Sequence, residues 1–288
     1  MATVREIRGR IATVKKIEQV TSAMKMVAAA RLRRASERAE AARPYADMMH
    51  AMLQNLTPSL QGFSHPLLQS REVRSVGVVV LSAERGLAGS YNANLMREVQ
   101  SLSRSLNAPA RYTVLGRKGV SFLKRRGFNV VYEASMPATE VNLGEVRAVA
   151  AQIRKDFEDG AVDEVYLVYS RFVSAMTQRP VALKLLPFEA PPASLEAPPP
   201  SSDIIFEPDA TSLLSRLLPR YVDTQVYRAM TEAVASEHGA RMTSMSSASD
   251  NAAEMIKGLT LTYNRVRQAA ITKELAEIVG GAEALRQG

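Results

Sequence analysis

A chain of 288 residues with 46% hydrophobic content is long enough for one large or two modest domains, and too apolar for general disorder. It contains no cysteine, which excludes disulfides, thiolate nucleophiles and cysteine-ligated metals, and its three histidines, His50, His65 and His238, are too scattered to form a zinc-ligand pair. The net charge is +8, and residues 1–43 carry +7 of it, eleven Lys or Arg against four Glu, so this sleeve of charge calls for an acidic partner, nucleic acid being the generic candidate.

The N-terminus enters a helical pattern at once, without the apolar core of a signal peptide. Residues 2 to about 56 read as one helix. Val4, Ile7, Ile11, Val14, Ile17, Val20, Met24, Ala28, Leu32, Ala35, Ala39 and Ala42 keep a three-or-four spacing, with irregular steps after Val14 and near Met24. At ~1.5 Å per residue such a helix is roughly 80 Å long, more than one compact core accommodates. Pro44 is expected to bend or interrupt it, because it removes a backbone donor. Pro58 with Gly62 marks its predicted end.

From Ser75 the period changes. Strands are predicted at Ser75 to Ser82, Arg111 to Leu115, Asn129 to Glu133, Glu164 to Ser170 and Val181 to Leu186, with helices at Asn92 to Ser105, Lys118 to Arg126 and Gly144 to Phe157. This alternation argues for a mainly parallel sheet with helices against its faces. The longest apolar run, Val76 to Leu81, falls far short of the roughly 20 residues a membrane-spanning helix needs, and an intracellular location is expected. Ser82 to Leu95, SAERGLAGSYNANL, follows a strand and opens a helix, where a glycine loop could hold a phosphate. Gly86 and Gly89 do not complete GxGxxG, however, and the GRKG run at Gly116 to Gly119 is not GK[ST], so a strand-to-helix turn is the expectation. Asp47, Glu140, Glu145, Asp156, Asp159 and Asp163 offer no defensible acid–base or metal spacing. No catalytic site, cofactor or metal is expected.

Pro187 to Pro200 holds six prolines and reads as a loop or linker. Pro208 and Asp209 are helix-start residues, and a helix interrupted or kinked at Pro219, with the kink preferred, runs from there to the end of the chain. Along it Ala252, Ile256, Leu259, Tyr263, Val266 and Ala270 alternate four and three apart, a coiled-coil seam that requires a second helix. Thr260, Asn264, Gln268 and Thr272 form an uncharged polar line beside the seam. The architecture that satisfies both terminal seams is α/β: a long antiparallel coiled coil of N- and C-terminal helices (1–57 and 208–288) with a Rossmann-like α/β domain (70–205) inserted between them.

The run from Glu237 to Leu285, above all ITKELAEIVGGAEA, resembles the C-terminal helix of the ATP synthase gamma subunit family. Glu6 to Ala35 and ARPYA at Ala42 to Ala46 resemble its N-terminal helix, and Ser82 to Leu95 its glycine loop, with Ala88 where that family commonly has cysteine. The resemblance implies a central rotor stalk of an F-type ATP synthase, of the bacterial form because no cysteine-bearing insertion is present. It would be a peripheral, non-catalytic subunit at the cytoplasmic face of the plasma membrane, one copy per complex, with the alpha and beta subunits, the epsilon subunit and the membrane c-ring as partners. It further implies that Met24, Arg267, Gln268 and Thr272 meet a beta subunit, that Tyr221 and Asp223 meet the rotor ring or epsilon, and that Leu275, Ile278 and Val279 form an apical bearing. The alternative left by composition alone is a basic coiled-coil arm binding nucleic acid, weakened because Tyr45 is the only aromatic on the basic helix and base-stacking platforms are lacking.

Overall fold

Among the described residues the long helices and strands follow the predicted order, with α1 at Val4–Leu56 and α5 at Ala210–Gln287 on either side of a five-stranded sheet in the sequence, and a short 3-10 turn at Pro66–Leu68 is added. A computed structural model describes residues 3–56, 65–188 and 210–287. The expected end of the first helix at Pro58 to Gly62, the helix-start pair Pro208 and Asp209, and all of the proline-rich run after Phe188 lie outside the described residues. The chain divides into two units, Met1–Val27 with Met242–Gly288, and Ala28–Arg241.

In the first unit the shielded positions of α5 beyond Asn251 are Ala252, Ala253, Ile256, Leu259, Tyr263, Val266 and Ala270, and all but Ala253 are the predicted seam. Its partner is the start of α1. There the shielded positions as far as Thr21 are Val4, Ile7, Ile11, Val14, Glu18 and Thr21, an unbroken three-four alternation, and Ser22 and Met24 are shielded beyond it. This corrects the sequence reading, which followed apolar residues off the seam to Ile17 and Val20; those two are 49% and 58% exposed. The helices enter and leave the unit in opposite chain directions, so the pair is antiparallel.

In the second unit α1 buries Ala28, Leu32, Ala35, Ala39, Ala46, Met49 and Leu53. Pro44 lies within α1 without interrupting it. The carbonyl deprived of its amide partner is that of Glu40, four residues back, and both residues are on the exposed face, where water can serve. Pro219 likewise lies inside α5, which is not broken there; the carbonyl of Pro219 accepts a bond from Arg154 Nη1 at 3.1 Å.

The sheet order is β3-β2-β1-β4-β5, with β1 Val76–Leu81, β2 Ala110–Leu115, β3 Val130–Ala134, β4 Glu164–Phe172 and β5 Gln178–Leu186. All pairings are parallel except the last, β4 with β5. Only five residues separate β4 from β5, too few for a parallel crossover, so an antiparallel hairpin is forced. The central strand β1 is buried throughout, as an uninterrupted Val-rich run in a two-sided sheet should be. Val78, Val80, Val114 and Val168 pack with Leu95, Met96 and Val99 of α2 (Tyr91–Ser105) and Leu123 of α3 (Arg117–Arg125). On the opposite face, Ile153 of α4 (Leu143–Glu158) lies against Gly77, Val79 and Val165. Asp163 joins the edge of this core: its Oδ2 accepts from the backbone amides of Arg74 and Ser75 at 2.8 and 3.0 Å, fixing the entry to β1.

Candidate functional site

In doubly wound sheets ligands bind beyond the carboxyl ends of the strands, where the strand order reverses. Here that place lies between β1 and β4, and the chain's own α5 fills it. Tyr91 Oη, at the start of α2, donates to the carbonyl of Ala233 at 3.3 Å, and Ser236 Oγ donates to the carbonyl of Ser170 at the end of β4 at 2.8 Å. Arg241 Nη2 donates to the Gly86 carbonyl in the loop after β1 at 3.2 Å and to Glu237 Oε1 at 2.5 Å. Ala240 packs on Ala83, Ala88 and Tyr91. Every residue from Ala229 to Gly239 is buried.

The first-turn amides of α3, which could cradle a phosphate, are consumed. At the start of α3, Arg117 N donates to Glu84 Oε2 at 3.2 Å, Lys118 N to the Ala83 carbonyl at 3.2 Å, and Gly119 N to Ser82 Oγ at 2.9 Å. Gly116 is required there because φ is +95° and a Cβ would stand 2.2 Å from the Ser82 carbonyl oxygen. The GRKG run is therefore a helix entry packed on Ser82. It leaves no first-turn amide for an anion.

Burial dominates the electrostatics of this socket. His238 is 3% exposed. Desolvation lowers its pKa to about 4, helped by Arg241 and Arg31 and opposed by the bond to the Ala138 carbonyl. It is neutral at pH 7, with Nε2–H donating to Ala138 O at 2.9 Å and Nδ1 left to accept from Arg241 Nη1 at 3.3 Å. Burial also raises the Glu237 carboxyl, against the pull of Arg241, and pushes the Tyr91 phenol above the tyrosine range. Such shifts often mark catalysis. Here the groups face backbone carbonyls and one another, and among the described residues no group of His, Asp or Glu could hold a metal ion.

The residues expected to meet the ring or epsilon have unlike settings. Tyr221 is 6% exposed, stacked on His50 with ring centroids 6.2 Å apart and edge-on to Phe188 at 5.0 Å. Burial raises its pKa to about 12. Asp223 is half-buried, ion-paired to Arg154, and lines an open groove of about 630 Å³ with Arg38, Tyr45, Leu143, Arg147 and Arg220.

In the first unit Met24 is half-buried, whereas Arg267, Gln268 and Thr272 are exposed, together with Thr260 and Asn264 of the same polar line. The hydroxyls of Thr260 and Thr272 bond back to the carbonyls of Ile256 and Gln268 at 2.7 and 3.0 Å. Leu275, Ile278 and Val279 are exposed, as is every residue from Ile271 to Ala282. The sequence reading did not single out the buried polar set Glu232, Ser236, Glu237 and His238. Composition hides it: Val222, Val226, Met230 and Val234 keep an apolar stripe at four-residue spacing, so Glu232, Ser236 and His238 beside it read as a solvated face.

A two-helix coiled coil with an inserted doubly wound domain, whose ligand crevice is filled by one of its own helices, defines a structural shaft. A family model described as ATP synthase matches residues 3–285. The chain is 48% identical to the ATP synthase gamma chain of Desulforamulus reducens, over 99% of this chain and 100% of that one, and 44% identical to that of Acidithiobacillus ferrooxidans, over 99% and 100%. Among solved structures, a chain of the Tetrahymena thermophila mitochondrial ATP synthase central stalk and c-ring is 25% identical, with a TM-score of 0.60 over 80% of this chain and 99% of that one. A chain of the Euglena gracilis mitochondrial ATP synthase shares the fold at 19% identity, with a TM-score of 0.70 over 99% and 95%. The chain belongs to the ATP synthase gamma chain family, the central rotor stalk of F-type ATP synthases.

Proposed function

We propose that this chain carries torque between ion flow through a membrane c-ring and the catalytic sites of an alpha–beta hexamer, without catalysing a reaction itself. The observation that carries this reading is the bare end of α5: Ile271 to Ala282 is exposed on every face, with Leu275, Ile278 and Val279 uncovered. A helix end of that kind needs a surrounding sleeve. Apolar contacts suit a bearing because they have little directionality. An asymmetric shaft touches three beta subunits differently and biases each toward a distinct conformation, so rotation interchanges their nucleotide affinities. Met24, Arg267, Gln268 and Thr272 are the beta-facing residues of this reading. On the second unit, Asp223 with its groove, and Tyr221, are the residues of this reading for the ring or epsilon. Among the described residues no helix is long and apolar enough to cross a membrane, which suits a peripheral subunit at the cytoplasmic face of a bacterial membrane.

The test is Arg267→Ala with Gln268→Leu in the assembled complex. The seam residues Leu259, Tyr263 and Val266 are untouched, so assembly and nucleotide binding should persist. Hydrogen bonds to charged groups are worth on the order of 1 to 3 kcal/mol, and losing ~1.4 kcal/mol from a rate-limiting interaction lowers turnover about tenfold. Turnover equal to the parent, in fully assembled complex, would show that this face is only solvated.

A further inference from the structure

In the second unit α1 and α5 are joined by four charged side chains. Arg228 Nη1 lies 3.0 Å from Asp47 Oδ1 and its Nε 3.2 Å from Glu232 Oε1, while Arg43 Nε lies 3.9 Å from the same Glu232 oxygen. Arg43 also donates from Nη2 to the Phe172 carbonyl at 2.9 Å, tying the network to the end of β4. Glu232 is 1% exposed, and its Oε2 has no hydrogen-bond partner. That is an expensive arrangement for stability alone, since a buried carboxylate must recover its desolvation from its cations.

We infer that this network is a register lock that stops α1 and α5 from sliding past one another when the shaft is under torque, an inference that rests on the shaft reading. Along this stretch the buried residues of both helices include many alanines, Ala35, Ala39 and Ala46 on α1 and Ala229, Ala233 and Ala235 on α5. Methyl groups make shallow ridges, and apolar contact by itself discriminates weakly between neighbouring registers. The charges discriminate sharply. In both cross-helix pairs, Arg43 with Glu232 and Asp47 with Arg228, the residue numbers add to 275, so one antiparallel register satisfies them together. Sliding by one helical turn, about four residues, brings Arg43 opposite Arg228 in one direction and Asp47 opposite Glu232 in the other. Like charges meet either way. Polar groups inside a helix pair are best attested in this role of setting register.

The absence of native cysteine permits a direct test. The chain carrying Asp47→Cys with Arg228→Cys is assembled into the complete enzyme in vesicles, and ATP hydrolysis and ATP-driven ion uptake are both measured. Without cross-linking, hydrolysis should continue while ion uptake per ATP falls about tenfold, the effect of a ~1.4 kcal/mol loss in the coupled step. A reversible bifunctional thiosulfonate joining the two thiols should restore uptake, and a dithiol should abolish it again. A merely structural role would lower hydrolysis and ion uptake together and leave their ratio at the parental value. Parental uptake per ATP before cross-linking overturns the proposal, and so does failure to recover once mass spectrometry shows the link complete. If the double variant does not assemble, Asp47→Lys, at an exposed position, places a cation beside Arg228; a parental ratio of uptake to hydrolysis in that variant overturns the lock. Failure of the shaft reading looks different, because the parent chain would then support no ion uptake in the assembled enzyme.

Discussion

Two stretches of the same helix, Ala229–Gly239 and Ile271–Ala282, mix small, apolar and charged residues in similar proportion, yet every residue of the first is buried and every residue of the second exposed. Helix formation itself is indifferent to that contrast, since both stretches have adequate propensity. What differs is the neighbour. The first is enclosed by its own chain: Thr231, Ser236 and His238 bond to internal carbonyls, and Glu232 and Glu237 pair with internal arginines. The second is exposed throughout, its recorded side-chain bonds staying within the helix, so its apolar side chains remain available to other subunits. Stability and function are thus carried by different lengths of one element.

The strongest way to break the comparison is to truncate an equivalent side chain in each stretch. Met230→Ala, at a fully buried position beside the socket, should cost about 2 to 5 kcal/mol in urea unfolding of the isolated chain. Leu275→Ala should change that stability by less than about 0.5 kcal/mol while altering turnover in the assembled complex. Equal destabilisation by the two would dissolve the distinction.

Acid sharpens it next. His238 titrates near 4 in the fold against about 6.5 in an unfolded chain, so the unfolded state binds the additional proton between those values. Stability is therefore unaffected above about pH 6.5 and falls as the pH drops toward 4, by about 3 kcal/mol at ~1.4 kcal/mol per pKa unit. Glu237, raised by burial, acts in the opposite sense over the acidic end of the window. His238→Gln, which keeps a donor for the Ala138 carbonyl, isolates the histidine: the loss of stability between about pH 6.5 and 4 should be shallower in the variant than in the parent. A parent curve with the same slope as the variant would place His238 in water.

A smaller effect separates the two sides of α1. Ile7→Val, on the seam, should cost about 0.5 to 1.5 kcal/mol, whereas Val20→Ser should stay within about 0.5 kcal/mol, measured by thermal unfolding. If Val20→Ser costs as much as Ile7→Val, the seam runs through Val20 after all. The smallest effect expected is none: with no thiol in this chain, ATPase activity of the assembled complex should be the same in dithiol and in oxidant, and a reversible switch mapping to this subunit would contradict that.

Much of the architecture was legible because its signals are periodic and local. The order of strands and helices from Ser75 to Leu186 follows from hydrophobic period and glycine turns, and the seam from Ala252 to Ala270 follows from strict four-three spacing in a helix with one buried stripe. The seam of α1 was misread where apolar side chains lie off the buried line. Ile17 and Val20 are hydrophobic and exposed, while Glu18 and Thr21 hold the seam, and hydropathy cannot separate a residue buried by its own chain from one left for a partner. The exposed setting of Thr260, Asn264, Gln268 and Thr272 agrees with a polar line at four-residue spacing. Tyr221, expected to meet the ring or epsilon, packs against His50 and Phe188, which precede it by 171 and 33 positions.

The sequence by itself determined the kinds of element, their order, the absence of thiol chemistry and the membership of a family, because these depend on local period, composition and word-like motifs. Only the tertiary structure decided that the nucleotide crevice is filled by Ala229 to Arg241, that His238 is neutral, and that Arg43, Asp47, Arg228 and Glu232 share one register. Each of those facts belongs to two surfaces meeting. Burial, desolvation and charge pairing are properties of the pair of segments brought together, so no single stretch of sequence contains them.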